Sequence, residues 1–107
     1  LDAGSCDLVV AAQAAHWFDM DAFNAEARRV AKAGGVVALV TYGIMEGGEA
    51  IDRVIRPFYW DVVGPYWPPE RRHVEEGYRR LPFPFPEIDA PPLAIAVAWT
   101  LDDLVAY

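Results

Sequence analysis

Apolar residues follow two rhythms in the first part of this chain. From Cys6 to Ala12 (C-D-L-V-V-A-A) they run almost unbroken, too short and too β-branched for a buried helix. That pattern fits a strand covered on both faces. From Met20 to Ala33 they recur at Phe23, Ala27, Val30 and Ala31, with Asn24, Arg28, Arg29 and Lys32 facing away, which predicts an amphipathic helix. Asp19 or Asp21 can cap its start, the cations of its last turn suit the helix dipole, and Gly34 can take positive φ just past its end. Val36 to Thr41 (V-V-A-L-V-T) returns to the strand rhythm. Strand, helix and strand in this order predict a βαβ unit with parallel strands and a right-handed crossover.

Beyond Gly48 the helical spacing resumes at Ile51, Val54, Ile55, Phe58 and Val62, but Pro57 removes an amide and should kink or divide that helix. The other prolines lie between Gly64 and Pro92, among Tyr66, Trp67, Tyr78, Phe83 and Phe85. Linkers rarely carry so many large aromatics, so this stretch reads as an ordered, irregular cap with a short polar helix beginning near Pro69. Leu93, Ile95, Val97 and Trp99 alternate with alanines and predict a third strand. Thr100-Leu101-Asp102-Asp103 has the form of a capping box that opens a helix with only one or two turns before Tyr107. The chain therefore divides as one α/β domain portion: a βαβα core over 1–63, the cap over 64–92, and a strand with a truncated helix over 93–107. An opening on Leu1 and a helix cut short at Tyr107 give it the look of part of a longer protein.

Composition narrows the partners. Apolar residues make up 54% of the 107 positions and aromatics 13%, which argues for a filled interior and against disorder. A net charge of −7 opposes binding to a nucleic-acid backbone, and it gives no support for an anionic substrate. One cysteine, Cys6, excludes an intrachain disulfide. With no signal-peptide pattern and no apolar run of membrane-spanning length, the expected compartment is the cytoplasm and no membrane partner is expected.

Ligands of open α/β sheets bind beyond the carboxyl ends of the strands, which here are Ala12 to Trp17 and Thr41 to Gly47. The first loop, A-A-Q-A-A-H-W-F-D, sets small residues beside an amide, an imidazole and an indole. Together with E-A-R-R-V-A-K-A-G-G-V-V-A it resembles the middle of a class I S-adenosylmethionine-dependent methyltransferase, nearest the small-molecule branch that includes trans-aconitate methyltransferase-like proteins. G-P-Y-W-P-P-E-R-R and L-P-F-P-F-P-E-I are similar to the cap of that branch. The resemblance implies a partial Rossmann-like sheet and S-adenosylmethionine as cofactor. It puts Ala12 and Gln13 along the cofactor, His16 and Trp17 at the border of cofactor and substrate, and Tyr42, Tyr66 and Trp67 on the substrate side. Two family features are not among these residues: the glycine-rich G-x-G-x-G loop and the acidic residue that holds the ribose. The chain alone is therefore expected to bind cofactor weakly or not at all, and to be inactive. His16 is the candidate general base if the methyl acceptor must lose a proton, with Asp19 as its orienter.

Plainer readings stand beside these. His16 and Trp17 could pack the loop against the cap, and Tyr66, Trp67, Phe83 and Phe85 could be cap core. His73 reads as a solvated residue on a polar helix, Cys6 as a small core residue, and the aspartates near His16 as caps and not metal ligands. Two other functional classes compete. A catalytically silent α/β piece could self-associate through an exposed sheet edge, and a half-domain of a nucleotide-dependent oxidoreductase could share the fold.

Overall fold

A computed structural model describes residues 1–106. Strand β1 (Cys6–Ala12) and strand β2 (Ala31–Val40) pair in parallel, joined through helix α1 (Met20–Val30), so the expected βαβ unit is present. Leu8 stands opposite Val36, Val10 opposite Ala38 and Ala12 opposite Val40.

Helix α1 is shorter than its apolar spacing predicts. It stops at Val30, Ala31 is already extended, and β2 starts there instead of at Val36. A helix running on to Ala33 would need the Arg29 carbonyl for the Ala33 amide and the Val30 carbonyl for the Gly34 amide that closes its end. Those carbonyls instead accept from Gly4 N at 3.0 Å and Ser5 N at 2.8 Å. Gly34 does take positive φ (+80°), though in an irregular stretch of β2 between the Cys6–Ala31 and Leu8–Val36 pairs and not as a helix stop. Lys32 closes the same irregularity by an ion pair to Asp7 at 2.7 Å.

The strands were expected to be covered on both faces, and only one is. Pleating sends Val9, Ala11, Val37 and Leu39 to the same side, where all are buried or half-buried. The other side carries Leu8, Val10, Val36 and Val40, which are 56%, 52%, 41% and 43% exposed. The core forms where the β1 end meets the cap: Ala11, Ala15, Met20, Val74 and Tyr78, with Phe23, Leu39 and Leu81 against them.

Helix α2 (Glu49–Pro57) ends at the proline, as its missing amide requires, and the chain widens into a π turn over Phe58–Val63 and then a 3-10 turn over Gly64–Tyr66. Helix α3 (Arg71–Glu75) is the short polar helix expected after Pro69. Helix α4 (Leu101–Ala106) opens with the reciprocal capping box: Asp103 N donates to Thr100 Oγ1 at 3.2 Å and Thr100 N to Asp103 Oδ2 at 2.8 Å. Its expected last residue, Tyr107, lies outside the described residues.

The third strand is not formed. Residues 93–99 join no ladder, and the sheet among the described residues has two strands. Leu93, Ile95 and Val97 are 84%, 77% and 59% exposed. Alternation supplies a strand with a face to bury, but a strand also needs a neighbouring backbone edge, and the fold does not bring one alongside.

Candidate functional site at the carboxyl end of the first strand

Leaving β1, the chain turns sharply at Gln13, which has φ +49°. Glutamine has no special tolerance for this left-handed conformation, and it is held there by hydrogen bonds across to the end of β2. Gln13 N donates to Val40 O at 2.8 Å, Gln13 Nε2 to Tyr42 O at 2.9 Å, and Thr41 Oγ1 to Gln13 Oε1 at 2.6 Å. The glutamine thus clips the two strand ends together, and its amide is used within the protein.

The next turn is a 3-10 helix over Ala15–Trp17, after which Asp19 Oδ1 caps α1 by accepting from Asp21 N at 3.1 Å and Ala22 N at 3.0 Å. Asp19 is therefore committed to the helix start and does not orient His16. The residue that does is Tyr78: its hydroxyl lies 2.9 Å from His16 Nδ1, with the imidazole 8% and the tyrosine 7% exposed. Burial lowers the His16 pKa below its ordinary 6.5, helped by nearby Arg71 and His73 and opposed by Glu70. At neutral pH the ring is uncharged.

Tyr78 reaches this position through the end of α3. Gly77 N donates to Val74 O at 3.0 Å and Tyr78 N to His73 O at 2.7 Å, the paired bonds of a Schellman motif with Gly77 at φ +61°. Tyr78 itself also has φ +61°, which costs a non-glycine residue roughly 1 kcal/mol or more. The bond to His16 and burial of the ring offset that cost. No periodicity marks Tyr78. The available sequence signal was a helix of polar residues followed by a glycine and an aromatic.

The residues singled out from sequence separate into two groups. Ala12, Gln13, His16 and Trp17 share the loop, and Tyr42 joins it through Gln13. Trp17 is 59% exposed and lies 4.6 Å from the His16 ring, so it offers a flat apolar wall. Tyr66 is 84% exposed, and none of its described contacts ties it to the loop. Trp67 belongs to a neighbouring cluster in which the Arg71 guanidinium stands 5.0 Å from its ring and donates to Tyr59 Oη at 2.9 Å. His73 is not the solvated residue its helix suggested: it is half-buried, and its Nδ1 is shut away without a hydrogen bond.

Comparison with known proteins agrees with this architecture. Residues 1–39 match the family model of the methyltransferase domain. A Dictyostelium discoideum protein provisionally named a methyltransferase is 28% identical over 110 residues, an alignment spanning 100% of this chain and 42% of that protein. A solved structure from Anaeromyxobacter dehalogenans, provisionally assigned as a type II methyltransferase, is 51% identical with a TM-score of 0.89, covering 100% of this chain and 46% of that one. The chain thus spans less than half the length of either relative.

Proposed function

We propose that this chain, similar over residues 1–39 to the methyltransferase domain and over its whole length to parts of two longer methyltransferase relatives, is a portion of a class I methyltransferase domain, and that its β1-end loop forms one wall of a site for S-adenosylmethionine and a small-molecule methyl acceptor in a cytoplasmic enzyme. The observation that carries this is the loop itself, at the carboxyl end of a parallel strand and built on two hydrogen-bonded anchors, the half-buried Gln13 and the buried His16. S-Adenosylmethionine supplies a methyl group on a sulfonium, already activated for transfer, so the protein's work is positioning and desolvation.

The residues present fit part of that group. Ala12 has no side chain beyond a methyl, which leaves the backbone approachable, and Trp17 and Phe18 are 59% and 40% exposed aromatic walls. Gln13 and His16 have their hydrogen bonds directed inward, so the loop packs against a ligand more than it hydrogen-bonds one. The glycine-rich loop and ribose-holding carboxylate of the family are not among the 107 residues. The chain on its own accordingly binds cofactor weakly or not at all and transfers no methyl group.

The test is a chimera in which this chain replaces the matching 46% of the Anaeromyxobacter protein. S-Adenosylhomocysteine is titrated calorimetrically into the chimera, the chain alone and the unaltered relative. Binding to the chimera but not to the chain, weakened about tenfold by Trp17→Ala (~1.4 kcal/mol), is the expected result. A folded chimera that fails to bind while the relative binds removes the proposal.

A second reading rests on the bare sheet face. Leu8, Val10, Val36 and Val40 form an apolar surface of the kind that pairs with another chain, so the isolated chain self-associates.

A further inference from the structure

We propose that Arg71 is an anion-binding residue: where the cap meets the loop, its guanidinium takes the terminal oxyanion, carboxylate or phosphate, of a small molecule. The binding site is argued from the structure alone, whereas the identity of that molecule as the methyl acceptor rests on the methyltransferase reading above.

Arg71 is half-buried and held from two sides. Its guanidinium carbon lies 5.0 Å from the centre of the Trp67 ring and 5.8 Å from that of Tyr59, and Nε donates to Tyr59 Oη at 2.9 Å. The two rings are themselves 5.6 Å apart. Stacking and one hydrogen bond orient the planar group and remove rotamer freedom before any ligand arrives. They leave its fork unused. Among the described residues Nη1 and Nη2 make no hydrogen bond, and no carboxylate comes within ion-pair distance. Glu75 accepts from the same Tyr59 hydroxyl at 3.3 Å, not from the guanidinium. By contrast Arg29, Lys32, Arg53, Arg56 and Arg80, all more exposed to water, each have a carboxylate within 3.6 Å. Partial burial without a counter-charge is costly, and an oxyanion on the fork offsets that cost with two charge-assisted hydrogen bonds.

Position ties this group to the loop. Val74, one turn further along α3, packs with Ala15 in the core, which sets Arg71 on the same face of the helix. Its charge is felt at His16, where it counts for more than that of Glu70. The chain's net charge of −7 does not oppose an anion here, because salt screens exposed charges beyond about 8–10 Å and the nearest groups decide recognition. Trp67, 38% exposed, adds an aromatic surface for the apolar body that carries the oxyanion.

The Arg71 Nε–H signal is followed by 15N NMR of the intact 107-residue protein, assigned by its loss in Arg71→Lys, as benzoate, phenyl phosphate and neutral benzamide are titrated in. One or both anions should shift it saturably with a Kd of about 1 mM, benzamide should not, and the tighter anion names the group the ligand carries. Arg71→Gln should weaken binding at least about tenfold, read from the Trp67 indole signal. No saturable shift in the parent chain at about ten times that Kd overturns the proposal, whether or not the variants fold. Benzamide moving the signal as far as the anions overturns it too, as does undiminished binding by a folded Arg71→Gln variant. This readout needs no cofactor, so it fails separately from the titration of the chimera. In a chimera that binds S-adenosylhomocysteine, the anion should still bind beside it. Displacement of the anion by S-adenosylhomocysteine would give the site to the cofactor's own carboxylate and overturn its assignment to the methyl acceptor.

Discussion

His16 couples acid sensitivity to the fold as well as to the candidate chemistry. Its folded pKa lies below 6.5 because burial, then Arg71 and His73, disfavour the charged ring. As pH falls through about 6.5 the unfolded chain binds the proton first, so stability is fully present above that value and is lost on the way down to the folded pKa. Urea midpoints followed by tryptophan fluorescence should fall between about pH 7.5 and 5.5, and His16→Gln should flatten that fall. A midpoint that is level across the window in the parent chain contradicts the assignment of a buried, neutral imidazole. Gln13 shows the same residue-level lesson from the other side: a side chain that the loop's composition offers to a ligand is in fact bonded to Thr41 and Tyr42.

At the scale of elements, the terminus of α3 carries more than its five residues suggest. Gly77 has φ +61° and open space where a Cβ would stand, so Gly77→Ala costs backbone strain with no clash, about 1 kcal/mol. Thermal melting should drop by several degrees, and Tyr78 should loosen from His16. Gly43 also has open space but no positive φ, so Gly43→Ala should leave the melt nearly unchanged. Equal losses at the two glycines would discard the Schellman account. The end of α1 shows how tertiary bonds set element lengths: apolar spacing continues to Ala33, but the helix stops where Gly4 and Ser5 capture its carbonyls.

For the whole molecule, the dimensions show how much apolar surface lacks cover. The radius of gyration is 17.1 Å, against about 13 Å for a compact domain of this length. The accessible surface is 8314 Å², against about 5,900 Å² for a folded monomer of 11.9 kDa. The bare sheet face and residues 93–99 are among the apolar stretches left exposed. Sedimentation at increasing concentration should therefore give a mass above 11.9 kDa that rises with loading, and Leu8→Lys with Val10→Lys should return it to the monomer. A monomer at all concentrations would set the self-association reading aside. No helix among the described residues is long and apolar enough to cross a membrane.

Local physics made the βαβ order, the break at Pro57, the short helix after Pro69 and the Thr100–Asp103 box legible in the sequence, because each depends on neighbours within a few residues. The loop from Ala12 to Trp17 was legible for a related reason: it must follow a parallel strand, where ligands gather. Long-range contacts decided the rest. Pairing with Gly4 and Ser5 ended α1, and the absence of a neighbouring edge left Leu93–Trp99 unpaired. The cap, folding back across 62 residues, supplied His16 with Tyr78 where the sequence pointed to Asp19. Sequence spacing reports which residues share a face, whereas a hydrogen bond between distant segments depends on how those faces meet, and only the tertiary structure sets that.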